Sequence, residues 1–159
     1  MDTQFIAAAG TYLVMSKLAL NEIHASCTFG NAPNIDILAS SSDGAKSIAI
    51  QVKTAYHARR LKGRGEERKL HHLEFTLGHK AAKTNFKNLF FAFVDLDQDW
   101  DESPTVYIIP SKFIYEYHEG WVDDVSWLRF HPEIGEVEQF KENWSLIKKA
   151  LKHKIKTSP

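Results

Sequence analysis

The sequence predicts one α/β or α+β domain in which helices pack on a β-sheet. Three stretches carry that prediction: an apolar helix at 5–20, two strands around an Asp-Gly pair at 33–55, and a continuous apolar run at 88–96. With 159 residues the chain has the size of one ordinary domain and enough material for a sizeable core. No internal repeat or linker divides it, so residues 1–159 are expected to form a single unit.

The elements follow in order. Residues 5–20, FIAAAGTYLVMSKLAL, are apolar almost all round and are expected to lie buried against a sheet, their alanines permitting close approach. Asp2 or Thr3 is placed to cap this helix. ASCTF (25–29) reads as a short strand ended by the breaker GNAPN. The paired strands lie in PNIDILASSSDGAKSIAIQVKTA (33–55). Residues 56–72, YHARRLKGRGEERKLHH, have no apolar period and contain two glycines, which predicts an exposed loop or arm. LEFTL (73–77) is a strand candidate and GHKAAKTNF (78–86) a short helix or turn.

NLFFAFVDL (88–96) has the unbroken apolarity of a central strand covered on both faces. An acidic loop leads to TVYIIP (105–110), another strand. SKFIYEYHE then opens on a Ser cap with helical spacing and stops at Gly120. Trp144, Ile147, Leu151 and Ile155 mark one face of a C-terminal helix at about 141–156, with lysines opposite.

Composition narrows the function classes. Hydrophobic residues make up 43% and charged residues 25%, the profile of a soluble globular protein. Formal net charge is zero, so no global field draws the chain to nucleic acid or membrane, and such binding must come from local patches. The single cysteine, Cys27, excludes an internal disulfide and a multi-cysteine zinc site. With no signal-like segment and no apolar run of membrane-spanning length, a cytoplasmic location is the expectation.

Asp-Gly favours a two-residue type I′ hairpin turn. Centring that turn on Asp43-Gly44 sets Asp36 opposite Gln51, and Lys53 shares their face two residues on. The other face collects Ile35 with Val52, Ile37 with Ile50 and Ala39 with Ile48, without a polar interruption. A four-residue loop keeps this sorting, whereas a one-residue slip destroys it. A carboxylate and an amide oxygen are hard donors suited to Mg²⁺ or Mn²⁺, and the Val52 carbonyl can add a third. A lysine beside them can polarise water or steady a phosphorane's charge. The bland alternatives are a hairpin aspartate bonded to local backbone, an edge-strand lysine, and a Gln51 that orients Lys53 without metal.

At these residues the chain resembles the PD-(D/E)xK nuclease superfamily. The motif appears as NID (34–36) and QVK (51–53), with Gln replacing the second acid as in a group I intron homing endonuclease. GNAPNIDILAS, IQVKT, LFFAFVDL and YIIPSKFIYEY extend the resemblance over roughly residues 5–145, to small stand-alone prokaryotic proteins. It implies a restriction-endonuclease-like α/β fold, a central mixed sheet flanked by helices with an α-β-β-β-α-β core.

For function the resemblance implies a metal-dependent DNA endonuclease. Asp36, Gln51 and the Val52 carbonyl would hold Mg²⁺ or Mn²⁺, Lys53 would assist the attacking water, and a homodimer would cut both strands. Relatives often carry a metal-holding Glu on the first helix, where Thr11 stands here. Glu22 cannot replace it, lying roughly 16 Å further along the helix axis. The alternative is a catalytically impaired nuclease fold acting as a nucleic-acid-binding or protein-interaction module.

The 56–72 arm carries six basic residues, Arg59, Arg60, Lys62, Arg64, Arg68 and Lys69, against Glu66 and Glu67, a net of +4. It can grip phosphates, through Arg59, Arg60, Lys62 and Arg64 first, or be a plain solvated loop. His71 and His72 are adjacent, so in an extended chain they face opposite ways and form no bidentate metal pair. DLDQDWDE (95–102) fails as a calcium loop because Trp100 and Val106 stand where Gly and Glu are needed. Tyr115, Tyr117, Trp121, Trp127 and Trp144 are expected in the core or an interface rather than as base platforms.

Overall fold

Helix α1 (Thr3–Leu20) begins at Asp2, whose carboxylate accepts the Gln4 N–H at 3.0 Å and so satisfies one of the free amides of the first turn. This begins the computed structural model, which describes residues 2–28, 35–96, 103–120 and 126–152. Only a stripe of α1 is buried, at Gly10, Val14 and Leu18, while Phe5, Tyr12 and Leu20 are exposed. The helix lies against the sheet as expected, but the sheet covers only one face and no described element covers the other. Close approach comes from Gly10 rather than the alanines, because a Cβ there would overlap the Thr54 side chain. Gly10→Ala is accordingly expected to cost about 1–3 kcal/mol. The urea midpoint would read this cost, and Thr54→Ala should restore most of it. Unchanged stability of the single variant would refute the contact.

Three strands follow: β1 (His24–Cys27), β2 (Ile37–Ser40) and β3 (Ser47–Ala55). A ribbon of β4 (Arg59–Lys62) and β5 (Lys69–Leu73), the two-residue β6 (Phe75–Thr76) and the short helix α2 (His79–Ala82) come next. Then β7 (Leu89–Asp95) and β8 (Thr105–Pro110) complete the main sheet. α3 (Ser111–His118), β9 (Arg129–Phe130), α4 (Ile134–Val137) and α5 (Ser145–Leu151) close the chain. Helix α1, three strands, α2 and β7 thus reproduce the expected α-β-β-β-α-β order.

The five-stranded sheet runs β1-β2-β3-β7-β8. Its β3–β7 pair is parallel and its other neighbours are antiparallel. Strand β7 is buried along its whole length, because each face of the sheet carries its own core. On one face Ile50, Phe90, Ala92 and Val94 pack with Val14 and Leu18 of α1 and with Trp144, Ile147 and Leu151 of α5. On the other, Phe91 and Phe93 pack with Phe75, Ala81, Ile114 and Phe130 from β6, α2, α3 and β9.

Over Ile37–Ser40 the β2–β3 register is the one the two-face sorting required, Ile37 pairing with Ile50 and Ala39 with Ile48. The ladder stops there: the expected pairs of Asp36 with Gln51 and of Ile35 with Val52 are not part of it, and Asp36 bonds Ile50 and Val52 instead. The turn is wider than a type I′ pair. Ser41 N–H donates to Lys46 O, extending the ladder, and Gly44 N–H donates back to Ser41 O. Gly44 has φ +69° but Asp43 is not left-handed, as type I′ demands. Asp43 instead uses Oδ1 to accept from Ser41 Oγ (2.6 Å) and Ala45 N (3.1 Å), which builds the four-residue loop 42–45.

Other expectations need correction. Residues 59–73 form a β-ribbon, not a loop, and LEFTL is split between β5 and β6. Ser111 does not cap α3; Pro110 holds that position, and the buried Ser111 hydroxyl bonds both backbone groups of Phe86. Helix α5 ends at Leu151 rather than near 156, Lys152 being extended at ψ 122°, while Ile155 lies outside the described residues. Trp144 is core, but Trp127 is 79% exposed. Trp121 and most of the acidic 95–102 loop lie outside the described residues.

Candidate functional site

Strand β3 alternates its backbone partners. Ala49 N–H donates to Asn88 O and Ala55 O accepts from Leu96 N, so the odd residues bond on the β7 side. The even residues Ile50 and Val52 bond on the β2 side. Strand β2 starts only at Ile37, two residues short of covering Val52. Asp36 fills that gap: its N–H donates to Ile50 O at 3.0 Å, and its Oδ2 accepts the Val52 N–H at 2.7 Å. A carboxylate thus replaces the next ladder carbonyl. Because N–H and C=O of one strand residue point the same way, the Val52 carbonyl faces the same gap. Thr28 fixes Asp36 from the β1 side, donating N–H to Asp36 O (3.0 Å) and Oγ1 to Ile35 O (2.6 Å).

Gln51 and Lys53 stand on the β3 face shared with Ala49 and Ala55, opposite the α1 face. Gln51 is only 6% exposed, and its Oε1 has no hydrogen-bond partner among the described residues. An orphaned buried amide oxygen is costly unless something else takes it. Burial pushes the half-buried Lys53 ammonium below the usual lysine range, and the Asp36 charge partly opposes that shift. Asp36 is thus bonded to Val52 and its charge reaches Lys53, while Gln51 lies on the same β3 face as Lys53.

Could these atoms hold a divalent ion? Asp36 Oδ1, not used by Val52, the orphaned Gln51 Oε1 and the Val52 carbonyl are all hard oxygen donors. The donor chemistry fits Mg²⁺ or Mn²⁺, with one formal negative charge. Among the described residues, no group of three His, Cys, Asp or Glu is arranged to hold a metal. Thr11 adds no carboxylate; its hydroxyl bonds Ala7 O within α1 at 3.0 Å.

The ribbon's cations divide into two groups. Arg59 Nε pairs with the buried Asp95 carboxylate at 3.1 Å, and Asp95 also accepts Ala58 N–H, locking the ribbon to the end of β7. Arg60 pairs with Glu74 at 3.1 Å, where Arg129 also binds at 2.8 Å. Lys62 and Arg64 are exposed at the far end. Two of the four expected phosphate grips are thus engaged in anchoring the ribbon.

His71 and His72 do meet, contrary to the extended-chain expectation: their Nδ1 atoms are 3.1 Å apart. Arg60 pairs with His72 but Leu61 with Leu70, leaving His71 as the extra residue of a bulge that re-aims its ring. A lysine-rich stretch escaped the reading of the sequence as well. From 75 to 94 the chain carries Lys80, Lys83 and Lys87 and no acidic residue, a signal visible in composition alone.

The chain has a structural neighbour among solved proteins. It matches, over 94% of its length and 94% of the other chain, the structure of a bacterial homing endonuclease, I-Ssp6803I, with a TM-score of 0.59 and 10% identity. The fold is nuclease-like. No family model and no curated protein matches the chain. No helix among the described residues is long and apolar enough to cross a membrane.

Proposed function

We propose that this chain is a metal-dependent DNA endonuclease of one domain, with Asp36, Gln51 and Lys53 as its catalytic cluster. The observation that carries the reading is the buried Gln51 Oε1, without a hydrogen-bond partner among the described residues, one residue along β3 from Val52, whose N–H the Asp36 carboxylate holds. In a nuclease-like fold, these oxygens accompany a lysine whose ammonium has no described partner but the Asp36 charge.

Asp36 Oδ1, Gln51 Oε1 and the Val52 carbonyl would hold Mg²⁺ or Mn²⁺. Bound there, the ion would supply Lewis-acid charge to phosphate oxygens. Lys53 orients the attacking water and steadies the charge that gathers on the phosphoryl oxygens. Water adds to phosphorus, and one ester P–O bond breaks toward the sugar oxygen. Asp36, braced by Thr28 and Val52, keeps the cluster rigid. Cutting both strands of a duplex takes two such sites, hence a homodimer.

The experiment is plasmid nicking with Mg²⁺ or Mn²⁺, against EDTA. Metal-dependent nicking supports the reading. No nicking, with no heat of metal uptake, favours the non-catalytic alternative, for which the lone formal charge at Asp36 argues. Of the ribbon's cations, exposed Lys62 and Arg64 are proposed to grip phosphate, while Arg59 and Arg60 shape the ribbon. Lys62→Gln with Arg64→Gln should weaken DNA binding and reduce the slope of log K against log salt by about 2. An unchanged slope would remove these two residues from the interface.

A further inference from the structure

We propose a nucleobase subsite beside the catalytic cluster, so that the substrate presents an unstacked base there. The inference rests on the nuclease reading above and names its substrate as single-stranded or locally unpaired DNA. The subsite is a cavity of about 300 Å³ at the start of β3, lined mainly by Ile35, Leu38, Ala49, Phe86 and Leu89, with Asn88 at its rim. It adjoins the cluster on two sides. Ile35 precedes Asp36, and Ala49 lies on the same face as Gln51, about 7 Å along the strand. That is the span from a phosphate to the base of its own or the next nucleotide.

Phe86 makes this cavity more than an apolar hollow. The residue is 69% exposed, yet its backbone is held at both polar groups by the buried Ser111 hydroxyl, at 3.1 Å to N and 2.7 Å to O. The fold thus immobilises the backbone of an exposed aromatic residue. Leu38, 45% exposed, faces the same cavity. A rigid exposed ring gives a base a stacking surface.

Charge identifies the occupant. The segment that carries Phe86 holds the exposed Lys80, Lys83 and Lys87, with no acid between Glu74 and Asp95. Lys87 stands between the lining residues Phe86 and Asn88, and an apolar cavity with that cation at its edge, next to the proposed phosphodiester site, matches a polyanion with flat apolar bases. The exposed Asn88 side chain supplies both a donor and an acceptor for a base edge. The ribbon lies at the other end of β3, so a strand of DNA laid along β3 would meet cations on both sides of the cluster.

The test uses a short single-stranded oligonucleotide carrying 2-aminopurine, without divalent ion, so that binding is read apart from cleavage. The single strand should bind more tightly than the duplex of the same sequence, with 2-aminopurine emission quenched at one position. Phe86→Ala should abolish the quenching and weaken binding about ten-fold. Phe86→Tyr should keep both. Its exposure means Phe86→Ala should melt as the parent does. Parental affinity or quenching in Phe86→Ala, or failure of Phe86→Tyr to retain them, overturns the subsite. The nuclease reading then still stands if plasmid nicking persists and depends on Asp36. If the parent binds no oligonucleotide in either form, subsite and nuclease reading fall together. Quenching competed by an apolar peptide but not by DNA would assign the cavity to a protein partner instead.

Discussion

Lys53→Met and Asp36→Asn are each expected to lower the cleavage rate roughly 10²–10⁴-fold. Methionine keeps the buried stem of Lys53 and removes only its charge. Asparagine keeps an oxygen for the Val52 N–H and removes only the anion. Asp36→Ala should be equally inactive but also less stable by about 0.5–1.5 kcal/mol, having lost the bond that finishes the strand. That pairing separates chemistry from scaffold. Parental rates in Lys53→Met and Asp36→Asn would sink the site assignment.

The pH profile tests the role of Lys53. Burial lowers its pKa and Asp36 raises it back in part, leaving it below the ordinary lysine value. If Lys53 works as a cation, the rate must fall as pH rises through that depressed pKa. Lys53→Arg, which stays charged, should lack this fall. A rate that instead climbs through the same range would make Lys53 a base.

Gln51→Glu should raise Mg²⁺ affinity on the order of ten-fold, since it adds the second negative charge such sites use. The substitution has a sharp signature in stability too. Without metal, it puts a carboxylate into a nearly closed position, which is destabilising. Added Mg²⁺ should reverse that loss, because an ion that binds only the folded chain stabilises it by mass action. Calorimetry for uptake and thermal melting with and without Mg²⁺ give the two readings. Equal destabilisation in both conditions, with no uptake, would mean that Gln51 orients Lys53 and holds no ion.

Much of the sheet was legible because burial leaves a period. The β2–β3 register follows from sorting Ile37, Ala39, Ile48 and Ile50 to one face and Asp36, Gln51 and Lys53 away from it. Strand β7 announces itself because both its faces are covered. The turn was not legible: Asp43 bonds its neighbours through its side chain, so the Asp-Gly pair did not take its preferred geometry. The ribbon hid because both of its faces are largely polar and its apolar pair, Leu61 and Leu70, is exposed. Nor could α1's apolar surround reveal that only the Gly10–Val14–Leu18 stripe would meet the sheet. The cluster itself was readable as residue types, but the orphaned oxygen of Gln51 is a packing fact that no spacing encodes.

The Val52 amide of β3 is held by a side chain, and this makes it an internal reporter. In an ordinary ladder, amide exchange with solvent reports the opening of paired strands. Here the same exchange tracks the hold of one carboxylate on one N–H. In a ¹⁵N-labelled sample, the Val52 cross-peak would register a change at Asp36 before any substrate is turned over. A spectrum could therefore follow occupancy of the cluster in a chain too slow, or too damaged, to cut.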